Sequence, residues 1–206
     1  MELLEKESLA LLRRGEKIVP YYVGYVFIKE EEYQGLTSHR EAVLAQLNYY
    51  NRLMKCNRWA REHYEKTGKH TTDEEFEEQF TSINADPIIY TDIDPDTIGW
   101  EPCPIHVNQA MMEATPVDPQ TMFQDQGVYE QAFFDEFQVT KLKKADFEAL
   151  NERFFPEKEN LIIYSWGTRF TNFYNEARES WGAYLWSVYD TKSQRFTVID
   201  ICSFFQ

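Results

Sequence analysis

The sequence predicts an α+β protein: a mainly antiparallel sheet of about five strands, helices collected on one side, and a long proline-rich excursion. Three observations carry this expectation. The stretch from Leu161 to Cys202 reads as a strand, a connector and a β-hairpin, and holds three of the five tryptophans. Two capping-box patterns, Ser38–Glu41 and Thr72–Glu75, announce helices. Six of the eight prolines fall between residues 84 and 127, which excludes extended helix there.

Taken in order, residues Glu2–Arg14 read as a short helix. Leu3, Leu4, Leu11 and Leu12 share a face, Arg13 and Arg14 suit the C-terminal dipole end, and Gly15 stops it. The run from Ile18 to Ile28 is nearly all apolar; Pro20 is tolerated only at a strand start or edge, which places the strand at Tyr21–Ile28, buried on both faces. Ser38 then caps a long helix from His39 to about Lys66, ended by Thr67-Gly68, with Val43, Leu47, Tyr50 and Met54 at helical spacing. It is the most basic element of the chain. The Thr72 box opens a short acidic helix through Phe80, with Phe76 and Phe80 facing the core and Glu74, Glu75, Glu77 and Glu78 facing water.

In the proline-rich excursion, Ile88–Thr91 and Ile105–Val107 are short strands and the remainder is irregular. Helices are expected over Gly127–Phe137 and Lys144–Phe155, the latter stopped by Pro156. Strand Leu161–Trp166 precedes the hairpin.

The hairpin is specified to the residue. Ala183–Tyr189 and Phe196–Cys202 are rich in aromatic and β-branched side chains. A turn at Thr191–Gln194 pairs Asp190 with Arg195. It also sets Tyr189 opposite Phe196, Trp186 opposite Ile199 and Tyr184 opposite Ile201. Each such pair adds roughly 0.2–1 kcal/mol, and a one-residue slip would exchange the two faces. Neither face is polar, so the hairpin either belongs in a sheet covered on both sides or covers one side with a partner.

At 206 residues the chain is expected to form a single domain over 1–206. With 35 acidic against 21 basic residues the formal charge is −14, which argues against a nucleic-acid binder and favours a basic protein as partner. No run approaches the roughly 18 apolar residues of a membrane helix, and the charged opening Met1–Glu7 does not read as a signal peptide. Cys56, Cys103 and Cys202 lie far apart without a CxxC, which suits a reducing cytoplasm and implies neither disulfide nor zinc.

The chemistry-bearing candidates are few. Asp92, Asp94 and Asp96 resemble the start of a calcium loop, but the required glycine and glutamate are replaced by Thr97 and Cys103. They remain candidates only for a looser hard-metal site. No HExxH, Walker, GxGxxG or GxSxG pattern occurs, and no cofactor is implied. Asp200 interrupts an apolar strand, where a carboxylate needs a partner or a raised pKa; with Glu176 it is the candidate for catalysis. The connector between Thr168 and Trp181 is densely polar and aromatic, and Arg169, Tyr174, Arg178 and Trp181 have the residue types of interface hot spots.

Three functions are compatible with this sequence. The leading one is a non-enzymatic cytoplasmic interaction module, for example an inhibitor or immunity-type protein covering a basic partner surface. The alternatives are a carboxylate-based enzyme, with or without a divalent metal, and a small-ligand binder using the tryptophan-rich sheet.

Overall fold

The computed structural model describes residues 1–14, 19–20, 22–84, 86–99, 104–134, 141–180 and 182–202. Its elements are β1 (Glu2–Leu3), α1 (Glu5–Arg14), β2 (Val23–Lys29), α2 (Leu36–Thr67), α3 (Asp73–Ser82), β3 (Ile89–Tyr90), β4 (His106–Val107), β5 (Ala114–Val117), α4 (Pro119–Met122), α5 (Val128–Phe133), α6 (Lys144–Phe154), β6 (Leu161–Trp166), α7 (Asn175–Ser180), β7 (Tyr184–Asp190) and β8 (Arg195–Ile201). The fold is α+β. Six strands form an antiparallel sheet in the order β1-β2-β8-β7-β6-β5, and β3 and β4 form a separate parallel pair.

The hairpin adopts the expected register throughout, from Asp190 opposite Arg195 to Tyr184 opposite Ile201. β8 then pairs along its full length with β2, so Val23 to Lys29 face Ile201 to Arg195. Because β2, β7 and β8 are central and apolar on alternate residues of both faces, each face needs a cover. On one face Val26, Leu185, Phe196 and Val198 pack against α2 residues Val43, Leu47 and Tyr50 and against Phe76 and Phe80 of α3. On the other, Tyr25, Phe27, Trp186 and Ile199 pack against Tyr129 and Phe133 of α5 and Phe147 and Leu150 of α6. The helices are therefore divided between the faces, not collected on one side. Trp186 is 5% exposed and Trp166 is likewise buried.

Local differences from the sequence expectations have simple causes. The first helix starts at Glu5, because Glu2–Leu3 pair with Ile28–Lys29 as a short edge strand. Helix α2 starts two residues before Ser38, whose Oγ accepts from the Gln34 N–H at 2.8 Å inside the first turn instead of capping. It ends at Gly68, which takes φ +68° and donates to the Tyr64 carbonyl, a left-handed stop that suits glycine. The Thr72 capping box is present with both bonds. Ile89–Tyr90 form a strand, but outside the main sheet, while Ala114–Val117, with Pro116 inside it, form the edge strand β5 beside β6. Tyr21, Gly15 and residues 135–137 of the expected elements lie outside the described residues.

Replacing Trp186 with Ala removes a large side chain packed between Tyr129 and the central strands. The expected cost is about 3–5 kcal/mol, read as a lower denaturation midpoint with an unchanged slope in urea.

Candidate functional site

The connector after β6 folds into a 3₁₀ turn at Asn172–Tyr174 and the short helix α7. The proline-rich segment lies directly against it. The Asn108 N–H donates to the Phe170 carbonyl, Val107 bridges to Thr171, and the His106 N–H donates to Asn172 Oδ1 at 2.8 Å. Asn175 Nδ2 donates to the Pro95 carbonyl at 3.1 Å. Two arginines close the contact. Arg169 Nε meets Asp96 Oδ2 at 3.1 Å and its Nη2 meets Asp94 Oδ2 at 3.3 Å. Arg178 bonds Asp96, Asn175 and the Thr168 carbonyl.

Two groups of sequence candidates thus meet, and each explains the other. Asp94 and Asp96 are neutralised by Arg169 and Arg178, and the Asp94 side chain also accepts the Asp96 N–H at the start of a 3₁₀ turn. Asp92 is exposed in the loop before them. Among the described residues no three His, Cys, Asp or Glu side chains are grouped to hold a metal ion. Glu176 is exposed on α7. Trp181 lies outside the described residues.

Tyr174 is fully buried, with no surface of its own to offer. It carries the connector down onto the sheet. Phe173 stacks on Tyr50 of α2 with ring centroids 5.1 Å apart, and Tyr174 packs edge-on against Phe173. Beneath them sits the carboxylate of Asp200, also fully buried. Its Oδ1 accepts from Tyr50 Oη at 2.5 Å and Gln46 Nε2 at 2.8 Å, and the Cys202 thiol lies 3.6 Å from Oδ2. Burial raises the Asp200 pKa to about 6, although these hydrogen bonds favour the charged form. Burial and the neighbouring carboxylate together push the Tyr50 and Tyr174 hydroxyls well above the usual tyrosine range.

The closeness of this arrangement explains a glycine inside a central strand. Gly24 lies opposite Asp200 in the sheet. A Cβ there would stand 2.2 Å from Tyr50 Oη and 2.3 Å from Asp200 Oδ1. Only a residue without a side chain lets Tyr50 reach the carboxylate.

A second buried polar chain crosses the same face. His39 of α2 hydrogen bonds through Nδ1 to Ser187 Oγ at 2.7 Å and through Nε2 to Tyr33 Oη at 3.1 Å, while Trp166 Nε1 donates to the same Ser187 oxygen at 2.8 Å. Ser187 and His39 resemble a nucleophile and its base, but both are enclosed. Burial drives the His39 pKa down to about 4.

Comparison with protein-family models, curated proteins and solved structures gives no match. The residues themselves therefore carry the functional argument. The outer surface of the clamped segment exposes Ile89 (41%), Tyr90 (57%) and Ile93 (56%). Asp86 and Asp92 flank them, exposed and without a salt-bridge partner among the described residues. The sequence signal for this patch was the proline-rich composition of the segment.

Two predictions follow from the buried groups. Gly24→Ala should separate Tyr50 from Asp200 and destabilise by about 1–3 kcal/mol, measurable by thermal or urea unfolding. The pH dependence is also defined. Asp200 titrates near 6 when folded against 3.8 when free, so its contribution to stability is full below about pH 4 and is lost as pH rises through 6. His39 titrates near 4 when folded against 6.5 when free, so its contribution is full above 6.5 and is lost as pH falls towards 4. Each displacement corresponds to roughly 3 kcal/mol, and the two oppose one another. Relative to the parent, Asp200→Asn should therefore gain about 3 kcal/mol between pH 4 and pH 7. A stability difference independent of pH would show that Asp200 is not held in this environment.

Proposed function

We propose that this chain is a non-enzymatic protein-interaction module, and that Ile89, Tyr90 and Ile93 form the centre of its docking surface for a basic protein. The observation that carries the reading is the exposure of these three apolar side chains on a segment fixed to the sheet by Arg169 and Arg178. Apolar anchors on a rigid platform bind without a large ordering cost. The flanking carboxylates and the net charge of −14 steer a basic partner and disfavour acidic ones. Arg169, Arg178 and Tyr174 then act as the support of the surface, with the exposed flank of Arg169 at its rim.

A reducing, cytoplasmic setting is part of the same proposal. Its support is that Cys56 and Cys202 are buried free thiols, and that among the described residues no helix is long and apolar enough to cross a membrane. An inhibitor or immunity-type protein is one form such a module takes.

The test uses a partner recovered by crosslinking from the native host. Tyr90→Ala and Ile93→Ala should each weaken its binding about tenfold or more with little change in melting temperature, because both side chains are exposed. Asp92→Asn should chiefly slow association, with a smaller effect at high salt. Full affinity in both apolar variants would overturn the assignment of this surface. Arg178→Ala distinguishes support from contact: as a support, its loss lowers melting temperature and binding together.

A further inference from the structure

The strand β3 offers a recognition element besides its side chains: its backbone. We propose that the partner is held by strand addition, with an extended basic segment of that protein pairing antiparallel to the free edge of β3 at Tyr90. This mode of binding rests on the docking surface assigned above and specifies how its partner is gripped.

The hydrogen bonds of the ribbon fix which groups are free. The Ile89 N–H donates to the Ile105 carbonyl at 2.8 Å, and the Thr91 N–H donates to the Val107 carbonyl at 2.9 Å. Ile89 and Thr91 therefore turn their backbone groups towards β4, and the alternation of a strand turns those of Tyr90 the other way. The Tyr90 N–H and C=O have no hydrogen-bond partner among the described residues. β4 offers no such edge, because the His106 N–H is taken by Asn172 and the Asn108 N–H by the Phe170 carbonyl. The free edge is also held in place before a partner arrives. Asn48 Oδ1 accepts from the Ile88 N–H at 3.0 Å, and Asn51 bonds the Asp86 carbonyl and the Ile105 N–H, each at 3.0 Å. Both asparagines belong to α2, so the longest helix of the described residues anchors the start of each ribbon strand. Arg169 and Arg178 anchor the loop that follows β3. An edge fixed in this way accepts a strand without first being ordered.

The chemistry of the occupant follows. Antiparallel pairing lets one residue of the incoming segment bond both Tyr90 groups, which suits an edge with a single fully open residue. The side chains of Ile89 and Tyr90 leave the ribbon on opposite faces, and both are exposed. Apolar or β-branched side chains of the added strand thus gain a neighbour on either face. Asp86 and Asp92 flank the edge, exposed and without a salt-bridge partner among the described residues, which favours Lys or Arg at the ends of the segment. A second copy of this chain fits poorly, because edge-to-edge pairing would bring the same aspartates of two molecules of charge −14 together.

The test selects a displayed library of random linear peptides against the full chain and measures how the enriched peptides bind its variants. Exchanging Tyr90 for its α-hydroxy acid turns the Tyr90 N–H into an ester oxygen and keeps the ring. Tyr90→Ala removes the ring and keeps the N–H. The same ester exchange at Val128, exposed on α5, is the control. The expected result is enrichment of basic, proline-poor peptides whose binding the Tyr90 ester weakens about five- to tenfold, the loss of one hydrogen bond, and the Val128 ester leaves unchanged. General attraction to an acidic protein cannot give this result, since the ester exchange alters no charge. Hydrogen exchange gives a readout without substitution: bound peptide should slow exchange of the Tyr90 amide and leave those of Ile89 and Thr91, already bonded to β4, as they were. No enriched basic peptide, equal affinity for the parent and the Tyr90 ester, or an unprotected Tyr90 amide would overturn strand addition. Dimerisation of the chain through this edge would do the same. Weakening by Tyr90→Ala with full affinity of the Tyr90 ester separates the two readings: the apolar docking surface then stands and strand addition falls.

Discussion

Most of this structure follows from one constraint: the three central strands are apolar on both sides. In β2 every residue from Val23 to Ile28 is buried, and β7 and β8 are nearly as enclosed. A sheet of that kind has no solvent face, so the chain must supply a layer above and a layer below. The first half supplies α2 and α3, and the middle supplies α5 and α6. The hairpin that arrives last in sequence is therefore the element both layers need. The two faces are not equivalent. The one under α5 and α6 is an aromatic core whose central polar contact is a hydroxyl pair, Tyr25 with Tyr129 at 2.5 Å. The one under α2 contains a carboxylate, an imidazole and several hydroxyls within an otherwise apolar layer.

Those polar groups give α2 its alignment. Apolar packing tolerates small sliding and rotation, whereas hydrogen bonds inside a low-dielectric layer do not. His39 meets Ser187 on β7, and Gln46 and Tyr50 meet Asp200 on β8, two turns further along the same helix face. Two fixed points on adjacent strands set both the angle and the register of the helix over the sheet. Whether each pair adds to stability is a separate matter, since burying charge is costly and specificity is the better-attested gain.

Short-range information was legible in the sequence, and long-range pairing was not. The hairpin register could be read because its opposing pairs are separated by one turn, and Asp200 stood out as a carboxylate in an apolar strand. The meaning of Gly24 was hidden because the groups that exclude a side chain there, Tyr50 and Asp200, come from distant parts of the chain. Ser187 looked like one more small strand residue until His39 arrived from 148 positions away. The connector's arginines and the aspartates of the proline-rich segment each looked like an independent site, and are partners across 73 to 82 residues. The burial of Tyr174 was missed because tyrosine is a residue type of interface hot spots, while its ring was needed beside Phe173 and over the sheet. The division of helices between faces was implicit in the hairpin's two apolar faces, but the helices' own patterns do not say which face each one covers.

The ends of the main sheet carry one further consequence. At one margin β1 offers only two residues, and at the other β5 is interrupted by Pro116, which has no amide proton to donate. β1 and the proline-bearing β5 are each poor templates for an incoming strand. The outer side of β3, by contrast, has no neighbouring strand among the described residues and is hydrogen bonded only to β4 on its inner side. Among the described residues, the two-residue ribbon β3–β4 therefore presents a backbone margin with no strand beside it.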